Sequence, residues 1–247
     1  MTSSSTWLDP PSALLLPAGE VHIWRAGLDA PVVEEQLSQV HSVDEIERAS
    51  RFRFPRDRNR YLVGRAMLRS ILARYLACAP GDLCFRYGAS GKPMLADTFK
   101  GETLEFNVSH SGEYAIYAVA RDQKVGIDIE HMRVDMPYEQ IAAQFFSPEE
   151  NRHLRSLPES LRRTAFYFIW TRKEAYVKAR GEGLSLPLDR FDVLTPEPYP
   201  AFTPFLIRDV VVESPWSVQD LEAFADYASS LVIEGAFPLL YCWQWMD

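Results

Sequence analysis

Asp128 and Glu130 are two acidic residues in the run VGIDIE over residues 125–130. We predict a strand here, in which alternate side chains share a face, so the two carboxylates point together while Ile127 and Ile129 enter a core. Carboxylates about 7 Å apart along one strand repel each other unless a cation lies between them. A solvated strand face is one explanation of this pattern. A site for Mg²⁺, which prefers hard oxygen ligands, is the other.

Glu174 and Lys178 lie four residues apart in the run WTRKEAYVK over residues 170–178. On a helix this spacing makes them neighbours on one face, with the acid N-terminal to the base. An isolated exposed pair of this kind contributes only about 0.2–0.5 kcal/mol. Lysine is scarce in this chain, at five of the 26 basic residues, so Lys178 is also a candidate for a functional site.

The run FNVSHSG over residues 106–112 places Ser109, His110 and Ser111 at the end of a predicted strand. A histidine flanked by hydroxyl groups supplies the donors of an anion site, although a polar turn has the same composition. The sequence shows no Ser-His-Asp spacing, zinc-ligand pattern, Walker A loop or dinucleotide-binding glycine pattern. We therefore expect side chains to hold any bound phosphates.

Arginine is concentrated in one segment of an otherwise acidic chain. Residues 48–74 contain nine arginines and one acid, Asp57, so this segment carries +8 while the whole chain carries −8. The balance argues against nucleic-acid binding and indicates an anionic ligand bound locally. Arginines five residues apart diverge by about 140° around a helix, so only some can face one ligand. The candidates for a phosphate contact are Arg48, Arg51, Arg53 and Arg60.

Apolar spacing predicts two long helices, at 57–76 and at about 161–180, the second ending at Gly181. Ser147 and Glu150, with Pro148 between them, predict a helix start. Strands are predicted at 21–24, 104–108, 114–120, 124–129, 202–212 and 227–233. The strands at 114–120 and 227–233 both begin with Tyr-Ala, which allows a twofold repeat of units. The elements together predict an α+β fold.

The composition is that of a globular protein, with 47% hydrophobic and 24% charged residues among 247. Residues 1–19 are polar and rich in proline, so we expect them to be flexible. Cys78, Cys84 and Cys242 form no paired pattern, which favours a cytoplasmic location. We expect no signal peptide and no membrane span, because no apolar run is long enough.

Six motifs in a fixed order give this sequence its strongest likeness to a known family. They are the arginine-rich helix, GKP at 91–93, NVSHS at 107–111, VGIDIE at 125–130, FFSPEE at 145–150 and WTRKEAYVKARGEGLSLPL at 170–188. Together they resemble the Sfp-type 4'-phosphopantetheinyl transferases over about residues 44–190. The resemblance implies a pseudodimer of two similar α+β lobes, at 20–121 and 122–247, with the active site in the cleft between them and the metal site in the second lobe.

The resemblance also implies a reaction. The enzyme would transfer the 4'-phosphopantetheine group of coenzyme A to a serine of an apo acyl or peptidyl carrier protein, release adenosine 3',5'-bisphosphate and require Mg²⁺. Asp128, Glu130 and Glu174 would bind the metal. The catalytic residues would be Asp128, Glu174 and Lys178, where Lys178 neutralises the leaving phosphate and either Glu174 or a metal-bound water takes the serine proton. The residues implied to hold coenzyme A are Arg48, Arg60, Lys92, Ser109, His110 and Lys178.

Partners follow from the same resemblance. The carrier proteins would be acidic around the modified serine and would dock near residues 131–137, where Arg133 offers a basic contact. Phe145 and Phe146 offer apolar contacts there or form the core of a short helix. We expect a cytoplasmic monomer that binds neither nucleic acid nor membrane.

Two other functions are weighed against this one. A catalytically silent protein that binds coenzyme A or carrier proteins would have no need for the set of three acids and Lys178. An Mg²⁺-dependent nucleotide pyrophosphohydrolase would show several closely spaced helical glutamates, whereas only Glu149, Glu150 and Glu174 qualify. The identity of the natural carrier protein is left open.

Overall fold

The computed structural model describes residues 6–32, 37–88, 91–96, 99, 103–183, 186–195, 199–207 and 214–245. Its helices are α1 (Leu37–Val40), α2 (Val43–Ser50), α3 (Pro55–Leu76), α4 (Tyr138–Phe145), α5 (Pro148–Ser156) and α6 (Glu159–Arg180). Its strands are β1 (Trp7–Leu8), β2 (Glu20–Gly27), β3 (Phe85–Tyr87), β4 (Pro93–Leu95), β5 (Leu104–Ser111), β6 (Tyr114–Arg121), β7 (Val125–His131), β8 (Phe205–Leu206), β9 (Trp216–Leu221), β10 (Tyr227–Glu234) and β11 (Leu239–Gln244). The predicted α+β class is confirmed.

The first sheet has five strands in the order β1-β11-β2-β6-β5. The strands β2, β6 and β5 pair antiparallel, while β11 is parallel to both β2 and β1. Residues 239–244, which the sequence analysis assigned to the second lobe, therefore lie in the first sheet. The reason is long-range pairing. The backbone of β11 forms hydrogen bonds with β1 on one side and β2 on the other, and the side chains of Cys242 and Trp243 are buried.

The N-terminal segment differs in part from the flexible stretch expected over residues 1–19. Trp7 and Leu8 pair with Cys242 and Trp243, and the indole nitrogen of Trp7 donates to the carbonyl oxygen of Glu222 at 2.6 Å. Leu16 is buried in the core under the first sheet. Strand pairing, a hydrogen bond and apolar burial, which involve residues more than 200 positions away, thus give regular contacts to a segment whose local composition is polar. Residues 1–5 lie outside the described part.

The second sheet has four strands in the order β7-β10-β9-β8, all antiparallel. A separate hairpin is formed by β3 and β4. The strand predicted at 202–212 is represented by β8 alone, and residues 208–213 lie outside the described part.

Each sheet has one face against a helix and the other against its neighbouring sheet. Alternate residues of β2 divide accordingly, because Trp24 packs in the core under α3 while Val21 and Ile23 pack in the core between the sheets. On β7, Ile127 and Ile129 lie in that middle core, fully buried, as the alternation predicts. The helix α6 covers the face of the second sheet that points away from the first sheet. Residues of α6 supply much of a third hydrophobic core, which lies between this helix and the second sheet.

The two sheets share a chain order. In each case the chain forms a strand, then a 22-residue helix that packs on the sheet, then two further strands. The order is β2-α3-β5-β6 for the first sheet and β7-α6-β9-β10 for the second. In both sets the last strand lies in the middle and pairs antiparallel with the other two. The two segments that begin with Tyr-Ala, β6 and β10, hold this equivalent central place.

Gly126 sets the distance between β7 and α6. A Cβ atom at this position would lie 2.0 Å from the carbonyl oxygen of Ala175 and 2.5 Å from the backbone nitrogen of Ala179. The strand backbone therefore rests directly on the helix, and small residues are present at each of these contacts. This packing fixes the position of Asp128, two residues further along β7, relative to the axis of α6.

The predicted helix ends are confirmed. Ser147 and Glu150 form the reciprocal hydrogen bonds of a capping box, and Gly181 takes a left-handed conformation at the end of α6. Within the described residues, no helix is both long and apolar enough to cross a lipid bilayer. Cys78, Cys84 and Cys242, all in the described part, form no disulfide.

Candidate active site

The candidate site forms where the edge strands of the two sheets meet. Side chains at alternate positions of β5 bridge to β7, because Asn107, Ser109 and Ser111 project to the same side. The side-chain oxygen of Asn107 accepts from the backbone nitrogen of Ile127 at 2.8 Å. Ser111 Oγ accepts from the backbone nitrogen of His131 at 3.1 Å. Polar side chains thus take the place of a backbone ladder between these two strands.

Asp128 is the centre of the site and is 3% exposed. Its Oδ1 atom accepts from Ser109 Oγ at 2.7 Å and from Lys178 Nζ at 2.6 Å, and Lys178 Nζ also lies 2.9 Å from Ser109 Oγ. The other carboxylate oxygen, Oδ2, is buried with no hydrogen-bond partner. An ionised oxygen left in this state is costly unless a cation or donor reaches it.

Glu130 and Glu174 are held in an environment that opposes their ionisation. Burial, followed by the charge of Asp128, raises the pKa of Glu130 to about 7. Burial and the same charge raise the pKa of Glu174. Ser111 Oγ donates to Glu130 Oε2 at 2.8 Å, which favours the ionised form. The raised pKa values of Glu130 and Glu174 beside Asp128 show a site that favours a cation.

The residues fit Mg²⁺ by their chemistry, although they do not surround an ion as they stand. All three candidate ligands offer carboxylate oxygens, and Asp128 Oδ2 is an unpartnered buried acceptor. Among the residues that the structure describes, no group of three or more His, Cys, Asp or Glu side chains is placed to hold a metal. Lys178 occupies the other oxygen of Asp128 and supplies the positive charge there.

Neighbouring residues of α6 fix its rotation. Arg172 Nε donates to Asp220 Oδ1 at 2.9 Å, and Lys173 Nζ lies 2.7 Å from Glu150 Oε2, with all four side chains fully buried. These ion pairs tie α6 to β9 and to the start of α5. Glu174 is thereby left on the face that meets β7.

A cleft of about 570 Å³ lies beside this site. Its lining comes from α3, the hairpin β3-β4 and the outer side of β5, including Val108 and His110. Because successive side chains of β5 point to opposite faces, Ser109 faces the carboxylates and His110 faces the cleft. Arg48 and Arg60 also line the cleft, so three of the predicted coenzyme A residues meet there.

The arginines of residues 48–74 have divided roles. Arg65 and Arg69 both pair with the buried carboxylate of Glu45, at 2.5 and 2.8 Å. Arg60 forms a two-point contact with Asp29, at 2.6 and 2.8 Å. Arg48 is exposed and lies over the ring of Tyr61, 5.8 Å from its centroid. The most accessible of the predicted phosphate contacts in the cleft is thus Arg48.

Lys92 takes a place that its predicted role did not specify. Gly91 and Pro93 line the cleft, whereas Lys92 Nζ donates to the carbonyl oxygens of Lys178 at 2.9 Å and of Val125 at 3.4 Å. Its side chain links the loop beside the cleft to the ends of α6 and β7. Burial lowers its pKa.

Asn107 had no predicted role and Ser111 was considered only as part of an anion site, whereas both side chains hold β7 in place. The sequence contained a partial signal, because Asn107, Ser109 and Ser111 are alternate residues in and just after the strand predicted at 104–108, which extends to Ser111 in the structure. It could not be used, because nothing in the sequence indicates which strand lies opposite.

Comparison with known proteins agrees with the motif order. The 4'-phosphopantetheinyl transferase superfamily profile matches residues 124–232, and the profile of the N-terminal part of 4'-phosphopantetheinyl transferases matches residues 16–122. The 4'-phosphopantetheinyl transferase HetI of a Nostoc species is 39% identical over 231 residues, which is 93% of this chain and 94% of the relative.

Two further relatives are more distant. The 4'-phosphopantetheinyl transferase Sfp of Bacillus subtilis is 34% identical over 67% of this chain and 73% of its own length. The L-aminoadipate-semialdehyde dehydrogenase-phosphopantetheinyl transferase of Xenopus laevis is 32% identical over 60% of this chain and 52% of its own length. The chain therefore belongs to the Sfp-type 4'-phosphopantetheinyl transferase family and is a 4'-phosphopantetheinyl transferase.

Proposed function

We propose that this enzyme transfers 4'-phosphopantetheine from coenzyme A to a serine of an apo carrier protein, with adenosine 3',5'-bisphosphate as the second product and with dependence on Mg²⁺. The observation that carries the proposal is the cluster of Asp128, Ser109 and Lys178 at the edge of the cleft that Arg48 and His110 line. Anion-binding groups and carboxylates lie on the two sides of one strand, which suits a charged cosubstrate next to a metal site.

Coenzyme A would lie in the cleft with its phosphates towards the end of β5. Gly112 lines the cleft and directly follows Ser111, which contacts Glu130. A ligand in the cleft can therefore reach the carboxylates around the end of the strand. Arg48 and His110 would bind phosphate oxygens, and Arg60 could do so after exchanging Asp29 for the ligand.

The reaction needs charge neutralisation more than covalent catalysis. The serine oxygen of the carrier attacks the phosphorus bonded to pantetheine, and the bond to the bridging oxygen breaks so that this oxygen leaves with adenosine 3',5'-bisphosphate. Lys178 neutralises the charge that forms on the leaving phosphate. Glu174 would accept the serine proton.

Asp128, Glu130 and Glu174 would hold Mg²⁺, which when bound would neutralise pyrophosphate oxygens. The unpartnered Asp128 Oδ2 supports this assignment. Because Asp128 Oδ1 pairs with Lys178, that amine is placed to change partner from the carboxylate to a phosphate oxygen of the ligand.

The shared chain order of the two sheets supports a pseudodimer of two lobes, with β11 and β1 as additions to the first sheet. A cytoplasmic monomer and an acidic carrier partner belong to the same proposal. The carrier would approach Arg133, whose side chain lies exposed beside Asp135. Phe146 is buried in the core under α6, so it is a core residue and not a carrier contact. Phe145 packs against Trp170.

The test is the mass of an apo carrier protein after incubation with this enzyme, coenzyme A and Mg²⁺. Transfer adds one phosphopantetheine group, binding alone adds nothing, and hydrolysis degrades coenzyme A while the carrier mass is unchanged. Asp128→Asn is the matched variant, because it keeps an acceptor for Ser109 and Lys178 but removes the charge. A variant with near-normal transfer would show that the metal assignment is wrong.

A further inference from the structure

Ser111 makes two hydrogen bonds of opposite sense at the end of β5. Its hydroxyl donates to Glu130 Oε2 at 2.8 Å, and the same oxygen accepts from the backbone nitrogen of His131 at 3.1 Å. The hydroxyl proton is therefore committed to Glu130, since the His131 contact uses a lone pair. The oxygen is held by the backbone of β7 itself, so its position follows that of the carboxylate.

Glu130 needs such a contact because its surroundings work against a fixed, ionised carboxylate. It lies near Asp128 and Glu174, whose charges repel it, and Lys178 is bonded to Asp128. Glu130 is also at the end of β7, where the ladder to β10 reaches its last pairs. Ser111 is the one side-chain hydrogen-bond donor that the structure records for this carboxylate among the described residues.

We propose that Ser111 is a positioning residue that holds Glu130 ready for the metal, and this inference rests on the proposed function. Ser109 has a different place, because its hydroxyl contacts Asp128 and the amine of Lys178. The two serines thus serve two different carboxylates from one face of one strand. Outer hydrogen bonds of this kind orient metal ligands and change metal affinity by about 10-fold to 100-fold when removed.

The experiment compares three variants with the wild-type enzyme. Ser111→Ala removes the hydroxyl, and Ser111→Thr keeps it on a residue suited to strands. The control is Ser217→Ala, which removes a strand hydroxyl that donates to the carbonyl oxygen of Gly235 at 2.7 Å, away from the site. Calorimetric titration with Mg²⁺ alone measures metal affinity, and steady-state kinetics separates kcat from the KM for coenzyme A.

We expect Ser111→Ala to weaken Mg²⁺ binding by about 10-fold or more and to lower kcat at fixed Mg²⁺, with the KM for coenzyme A within about twofold. Ser111→Thr restores both quantities, and Ser217→Ala changes neither. The inference is overturned if Ser111→Ala binds Mg²⁺ as the wild type does, if Ser217→Ala shows the same loss, or if the wild-type protein binds no Mg²⁺. A wild-type protein that binds Mg²⁺ without modifying a carrier contradicts the proposed function. In that case the Mg²⁺ titration of Ser111→Ala alone decides whether Ser111 positions Glu130.

Discussion

Replacing Gly126 by alanine is expected to separate β7 and α6, the two elements that carry Asp128, Glu174 and Lys178 of the candidate site. The added Cβ would lie 2.0 Å from the carbonyl oxygen of Ala175, 2.5 Å from the nitrogen of Ala179 and 2.9 Å from its Cα atom. All three are backbone atoms and cannot rotate away. A Cβ contact shorter than 3.0 Å is essentially never observed, so β7 and α6 must move apart by at least 1.0 Å.

This separation has two measurable effects. Overpacking of a close contact costs about 1–3 kcal/mol, and we expect the upper end of that range because no side chain can yield. The displacement also moves Asp128 relative to Lys178 by about 1 Å, which is sufficient to reduce a rate by about 100-fold. Urea denaturation measures the first effect, and the rate of carrier modification at saturating coenzyme A measures the second.

Gly27→Ala is the matched control, because Gly27 also lies in a strand and a Cβ there would meet nothing within 4 Å. We expect its free energy of unfolding and its rate to remain close to those of the wild type. If Gly126→Ala unfolds at the same urea concentration as Gly27→Ala and keeps its rate, the proposed role of the strand-helix distance is refuted.

Three further expectations concern charge. Lys178→Met leaves Asp128 buried without its cation, so we expect the free energy of unfolding to fall by about 2–4 kcal/mol in urea, and an unchanged value would contradict the pairing. Arg60→Ala should raise the KM for coenzyme A by about 10-fold while Asp29→Asn should not, and equal effects would remove Arg60 from the ligand site. Because the pKa of Glu130 is raised from 4.5 to about 7, the folded state binds more protons, and metal-free protein should lose about 2–3 kcal/mol as the pH rises across that interval. Glu130→Gln should reduce this loss, with a remainder from Glu174, whose pKa burial also raises, and a loss of unchanged size in the variant would assign it to other groups.

Local patterns predicted the two long helices and five of the described sheet strands, β2, β5, β6, β7 and β10, but did not predict β9 or β11. The periodicity of apolar residues predicted α3 and α6 to within two residues at each end. Ser147 and Glu150 predicted the start of α5, since a capping box is made within four residues of chain. Alternation along β7 predicted which side Asp128 faces.

Contacts between distant segments could not be predicted in this way. Glu45 is acidic and lies in a helix with an exposed charged face, yet it is fully buried between Arg65 and Arg69. Two arginines of the segment 48–74, which was predicted to bind an anionic ligand, thus pair with a buried acid of the protein itself. Arg172 likewise reaches Asp220 across 48 residues, a distance over which spacing carries no information. Lys92 was assigned to the ligand from its motif, whereas its side chain contacts two backbone carbonyls.

The position of β11 has a consequence for how this chain folds as it is made. Synthesis proceeds from the N-terminus, and early segments can begin to fold before later ones exist. The first sheet cannot follow that course to completion, because β11 lies between β1 and β2 and is formed by residues 239–244. Until those residues leave the ribosome, Trp7 has no strand to pair with and one edge of β2 is open. Chain synthesis, rather than any local step, therefore sets the earliest time at which the first sheet is complete.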